Sequence, residues 1–160
     1  MSVEYMKSIA ERYQRLGHAP YRWFKAEEPP AFQPLAKPLS QARIGMLSTS
    51  GAYALGQVAY HYKDDASIRR IPATTAGKDL RFSHLTENYL VDARRDPGCI
   101  FPLRAVRELA AEGFIGSLAD TVFSCMGAVY SQRRVREELA PALLEAFRAQ
   151  EVDAALLVAM

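Results

Sequence analysis

Residues 96–127, DPGCIFPLRAVRELAAEGFIGSLADTVFSCMG, constrain the fold more than any other stretch of this chain. Pro102 suits the first position of a helix, because its ring fixes φ and it has no N–H to leave unpaired. Leu103, Val106, Leu109 and Ala110 then recur at helical spacing. Gly113 supplies a residue that tolerates a left-handed backbone just past the helix end. Gly116 and Ser117 turn the chain into the β-prone run 121–123, which ends at Ser124-Cys125-Met126-Gly127. With Cys99 marking a strand end before the helix and Cys125 one after it, the stretch reads as a βαβ unit. Such units build parallel sheets. Open parallel sheets bind their ligands outside the carboxyl ends of the strands. The sequence therefore directs attention to Cys125 and whatever lies beside it.

The flanking segments extend the same plan. Residues 42–48 (ARIGMLS) form an apolar strand expected to be buried on both faces, as central parallel strands are. It ends in Thr49-Ser50-Gly51, which has two readings. A turn of hydroxyl residues and glycine at a parallel strand's end offers donors to a substrate carboxylate or carbonyl; it is also simply what a tight turn prefers. Residues 67–72 and 79–84 read as short strands, the second ending in His84. That histidine either orients or protonates substrate at the sheet edge or is a hydrogen-bonded packing residue. Cys125 likewise is either the reactive thiol or a small buried hydrophobe, and Cys99, beside Ile100 and Phe101, is expected in the core. His61, in a polar, tyrosine-rich stretch, is the weaker histidine. In the loop 92–97 (DARRDP) the charges are solvated by default, although Arg94 or Arg95 has the planar fork that grips a carboxylate. Residues 131–150 form a helical region capped by Ser131 and kinked or divided at Pro141. The continuous apolar run 152–159 (VDAALLVA) predicts another buried parallel strand.

Ahead of this body, Val3, Met6, Ile9, Tyr13 and Leu16 share one face of a helix over 3–16, which Gly17 stops. An arm over 18–40 carries Pro20, Pro29, Pro30, Pro34 and Pro38, and so must run extended or turning. It also carries Tyr21, Trp23, Phe24 and Phe32, aromatics expected to pack on the chain's own body in preference to a partner subunit. The fold class is thus α/β: an open, mainly parallel three-layer sheet of Rossmann-like type over 41–160, preceded by a helix and proline-rich arm over 1–40.

A chain of 160 residues can bury a real core as one domain. Its formal net charge of +2 and lack of a basic stripe interleaved with aromatics argue against a nucleic-acid partner. No apolar run reaches the ~18 residues a membrane span needs, and the acidic, interrupted amino terminus is no signal peptide. Two distant cysteines make no disulfide framework, which suggests a cytoplasmic protein with reduced thiols. No metal site is read from the sequence.

ARIGMLSTSG, DLRFSH, the DARRD loop, and above all FPLRAVRELAAEGFIGSLADTVFSCMG with APALLEAF and VDAALLVAM resemble the selenoprotein B subunits of glycine, sarcosine, betaine and D-proline reductases. The similarity runs from about residue 20 to 160, and the string FPLxxxxELxxEGxIGSLA is its most specific part. The resemblance implies reductive cleavage of the α carbon–nitrogen bond of an amino acid or its N-methylated derivative. It implies a selenocysteine or cysteine that attacks the substrate and is recycled by a thiol reductant, and in some relatives a partner subunit with a pyruvoyl group, hence a homo- or hetero-oligomer. The anion is the nucleophile in such chemistry, so a selenol or low-pKa thiol suits it. The family's redox residue follows the strand that is here 153–160, so no residue of this sequence takes that role. The expectation is that a selenocysteine codon, UGA, follows codon 160 and has been read as a stop. Two other readings stand beside this one: a non-catalytic scaffold or binding subunit, and, on fold analogy alone, a small-acid racemase or lyase using Cys125.

Overall fold

The computed structural model describes residues 4–20 and 23–160. The chain divides into two compact units, Met1–Gln33 and Pro34–Met160. The first holds α1 (Tyr5–Arg15), which ends at Gly17 with φ +76°. Val3 and Tyr21 lie outside the described residues. Within this first unit Tyr5 meets Trp23 edge-on at 5.7 Å.

The second unit is a mixed α/β body. Its main sheet is built on β1 (Arg43–Ser48). One side of β1 pairs in parallel with β5 (Ser117–Leu118) and then with β6 (Thr121–Ser124). Between Ile44 and Leu47 β1 advances three residues while its neighbour advances five, from Leu118 to Phe123. Ala119 and Asp120 thus bulge from one interrupted strand, and Ala119 N–H still donates to the Ile44 carbonyl at 2.8 Å. The other side of β1 pairs in parallel with β7 (Ala154–Val158) along its full length. β3 (Arg69–Pro72) joins β6 antiparallel. β2 (Ala52–Ala54) and β4 (Leu80–Phe82) make a separate antiparallel pair. The sheet is therefore mainly, not wholly, parallel.

Alternation along the strands feeds two apolar clusters. Ile44, Met46 and Val122 join Phe101, Leu103 and Val106 in the larger cluster, which takes in α2 (Leu90–Arg95) and α3 (Leu103–Ala111). Phe123 and Cys125 join Leu139, Leu143 and Ala146 in the other. That second cluster belongs to the helical stretch after the sheet, α4 (Gln132–Arg134), a wide π turn over Val135–Leu139, and α5 (Ala140–Arg148). Ser131 caps α4 through Arg134 N–H, as expected. Pro141 divides the helix in the predicted place: with no N–H and a ring that crowds the preceding turn, it sits where the backbone has widened.

Three expectations fail on local grounds. No strand precedes α3. Residues Pro97–Cys99 instead form a 3-10 turn in which the Asp96 carboxylate accepts from Gly98 N–H at 2.9 Å. Prolines at 97 and 102 remove the donors a ladder strand would need. Cys99 accordingly lies exposed on that turn, and Phe101, 1% exposed, takes the core position instead. β7 is not buried on both faces: Leu156 and Leu157 are 40% and 68% exposed. Its apolar run reads as a central strand, but among the described residues it pairs only with β1.

Candidate functional site

The parallel register brings three strand ends together. Ser48 pairs with Ser124 on one side and Val158 on the other, so β1, β6 and β7 finish in one row. The residues that follow them form the carboxyl rim of the sheet. A fourth contribution arrives sideways: Ser83 N–H donates to the Gly51 carbonyl at 3.0 Å, placing the end of β4, and with it His84, against the turn after β1.

Gly127 is where these parts touch. A methyl group built on its α-carbon would stand 2.9 Å from the Thr49 carbonyl oxygen, 3.2 Å from His84 Nε2 and 3.3 Å from the Met160 carbonyl oxygen. The Thr49 hydroxyl in turn accepts from Met160 N–H at 2.9 Å. Thr49, His84, Gly127 and Met160 thus form one cluster from four separate chain segments. Neither Gly127 nor Met160 was singled out from the sequence as a site residue. Both sit at the ends of predicted strands, which is the signal that could have found them.

The turn Thr49-Ser50-Gly51 spends its backbone donors internally. Thr49 N–H donates to the Val158 carbonyl and Gly51 N–H to the Cys125 carbonyl, each at 3.0 Å. Ser50 N–H donates to Ser48 Oγ at 3.2 Å. Ser50 is fully buried, its Oγ 2.8 Å from that of Ser48, which donates to the Ile100 carbonyl at 2.7 Å. Gly51 has φ +65°, and a Cβ there would stand 2.1 Å from the Ser83 carbonyl oxygen. The tight-turn reading accounts for all of these contacts: the turn braces the rim with its N–H groups already engaged.

Cys125 is 2% exposed within the second apolar cluster. Burial pushes its thiol up to about 11, so at neutral pH it is a thiol, not the thiolate that attacks or exchanges. Its geometry is that of the small buried hydrophobe. Nearby, Tyr60 donates its hydroxyl proton to the Ser124 carbonyl at 2.6 Å and lies beneath the Arg69 guanidinium, 4.1 Å from the ring centre. Burial raises the Tyr60 phenol far above its ordinary range, making it a fixed brace behind β6.

His84 is 9% exposed. Thr86 N–H reaches its Nδ1 at 3.2 Å, and the Thr86 hydroxyl lies 2.7 Å from the same atom. Nε2 is buried and has no hydrogen-bond partner among the described residues. Burial lowers the imidazole pKa from its ordinary value, partly opposed by the Glu87 carboxylate. His61, by contrast, is exposed and bonded within its own loop.

Arg94 and Arg95 stand elsewhere, paired with Glu87 and Asp92. With Lys78, Arg81, Tyr53 and Phe82 they line a cavity of about 520 Å³ that, among the described residues, no carboxylate side chain borders. Among the described residues no helix is long and apolar enough to cross a membrane, and no cluster of three or more metal-binding side chains is gathered.

Residues 86–160 match the family described as Glycine/sarcosine/betaine reductase selenoprotein B (GRDB). The chain is 30% identical over 131 residues, 82% of its length, to the D-proline reductase subunit gamma of Acetoanaerobium sticklandii. It spans about half, 54%, of that relative. No solved structure matches it.

Proposed function

Because residues 86–160 match the family described as glycine/sarcosine/betaine reductase selenoprotein B, we propose that the chain is a subunit of a reductase that cleaves the α carbon–nitrogen bond of a small amino acid or N-methylated amino acid. The observation that carries this reading is the convergence of Thr49, His84, Gly127 and Met160 at the carboxyl ends of three parallel strands. A buried imidazole nitrogen with no partner is what a site for a polar reactant leaves behind when that reactant is absent.

In this proposal the sheet presents the reacting group and the rim receives the substrate. The residue that follows β7 in the family, a selenocysteine or cysteine, would emerge beside Met160 and so within the His84 cluster. As a chalcogenolate it would attack the substrate α-carbon, forming a carbon–chalcogen bond as the α carbon–nitrogen bond breaks and the amine takes up a proton. One thiol would then attack the chalcogen, the product carbon leaving with a proton, and a second thiol would reduce the mixed chalcogen–sulfur bond, so that a dithiol supplies the two electrons. Cys125, held as a buried thiol, packs behind the rim. A pyruvoyl-bearing partner subunit would bind the substrate amine, and the assembly would be cytoplasmic.

The test is reductive cleavage by the purified chain with its co-purifying subunits, in the presence of dithiothreitol: release of the free amine from glycine, sarcosine or betaine, or opening of the D-proline ring to the linear ω-amino acid. Turnover of one of the four supports the reading, and none removes it. Sequencing past codon 160 tests the redox residue: UGA, or a cysteine codon, is expected, and UAA or UAG there is incompatible with it.

A second reading, a non-catalytic scaffold, draws on the open apolar edge of β7. It predicts a stable complex with another subunit whose turnover is unchanged by His84→Leu.

A further inference from the structure

The geometry points to His84 as a fixed hydrogen-bond donor: a neutral imidazole whose Nε2–H binds an anionic acceptor, a carboxylate or a chalcogenolate, at the rim. The inference rests on the proposed placement of the reaction at this rim and deepens it by naming the chemistry of the ligand.

The tautomer follows from the backbone. Thr86 N–H points at Nδ1 from 3.2 Å, and an amide N–H can only donate. Nδ1 must therefore present its lone pair, and in a neutral ring the proton then resides on Nε2. The Thr86 hydroxyl, 2.7 Å from Nδ1, closes that side of the ring. A proton placed on Nδ1 would face the amide hydrogen head-on, and an imidazolium would carry that clash together with a buried charge. Burial acts the same way, holding the ring neutral. The lone pair a general base would use is thus turned away from the rim, and what faces the rim is a donor.

That donor has nowhere to go within the described chain. Nε2 is buried and unpartnered. The Thr49 and Met160 carbonyl oxygens flank the same α-carbon of Gly127, yet neither accepts from it. A buried N–H left unpaired costs free energy that an arriving acceptor recovers, and an ionised acceptor recovers more than a neutral one. Glu87, the carboxylate that acts on His84, is itself paired with Arg94. Met160, beyond the end of the β7 ladder, forms one wall of the site, its N–H donating to the Thr49 hydroxyl at 2.9 Å.

The experiment is ¹H–¹⁵N correlation of the histidine ring nitrogens in the ¹⁵N-labelled chain. At neutral pH the expected pattern is an unprotonated, pyridine-type Nδ1 and a protonated, pyrrole-type Nε2. Titration with acetate and, separately, with hydrosulfide should then move the Nε2–H resonance. A response to acetate alone assigns a carboxylate, to hydrosulfide alone a chalcogenolate, and to both a site that takes either anion. His84→Gln, whose amide N–H replaces Nε2–H, should keep the affinity to within about tenfold, whereas His84→Leu should lose about tenfold to a hundredfold. A proton on Nδ1, an imidazolium at neutral pH, or silence toward both probes overturns the inference. None of these readouts needs turnover. A chain with the tautomer and the anion response but no reductive cleavage of any of the four substrates would sink the reductase reading alone.

Discussion

His84 and Cys125 illustrate how burial assigns opposite fates to two residues at one sheet edge. Cys125 lies within the second apolar cluster, and its thiol is held at about 11. Cys99 is exposed on its turn. Iodoacetamide near neutral pH should therefore modify Cys99 alone in the folded chain and both cysteines after denaturation, as read by intact mass. Cys125→Ser should destabilise by about 1–3 kcal/mol, because it places a hydroxyl where nothing pairs with it; thermal unfolding measures this. For His84 the folded pKa lies below the unfolded one. The stability the neutral ring contributes is therefore complete above about pH 6.5, the unfolded value, and is lost as pH falls through the folded value. Replacing His84 with Gln should flatten the acid side of the Tm-against-pH curve below about pH 6.5, and an unchanged slope would refute this. Gly51 is fixed by position: Gly51→Ala combines a left-handed φ with a Cβ 2.1 Å from a carbonyl oxygen, and should cost more than about 1 kcal/mol by denaturant melt.

At the scale of elements, what was legible depended on whether the signal was local. The helix opened by Pro102 was visible because its apolar spacing, Pro102 and Gly113 agree; α3 spans Leu103–Ala111, with Pro102 as its N-cap and not its first residue, and Gly113 has φ +73°. The break at Pro141 was visible because a missing N–H acts on its own turn. The strand expected before α3 was misread because Ile100 and Phe101 look like strand residues when burial is inferred from hydrophobicity alone. They reach the core from a turn. The pairing of β1 with α5 could not be read at all: Gly45 leaves the space that the Phe147 ring fills, a Cβ there standing 2.5 Å from the ring. That ring meets Phe123 edge-on at 5.0 Å, which limits its retreat. Gly45→Ala should therefore cost about 1–3 kcal/mol as overpacking, and a thermal melt equal to that of the unaltered chain would disprove the contact's importance.

For the whole molecule, the open edge of β7 is the feature with the widest consequence. AALLV carries no charge or proline, and unprotected edge strands of this kind associate with other chains. Leu157, 68% exposed, is the position to alter. Leu157→Lys should leave stability within about 0.5 kcal/mol while raising the concentration at which the chain remains monodisperse in sedimentation. Loss of folding instead would mean that Leu157 supports the core.

The sequence by itself determined the α/β class, the apolar strands at 42–48 and 152–159, the helix that follows Phe101 and the family resemblance, because these rest on periodicity, turn chemistry and a long specific string. Tertiary structure alone decided which strands adjoin, that β3 runs antiparallel, that β7 is an edge, and that Cys99 faces outward. It alone gathered Thr49, His84, Gly127 and Met160 at one rim. The reason is sequence separation. Periodicity reports which face of an element is apolar, but the partner of that face, and the atom left without one, are set by contacts between residues as far apart as Thr49 and Met160.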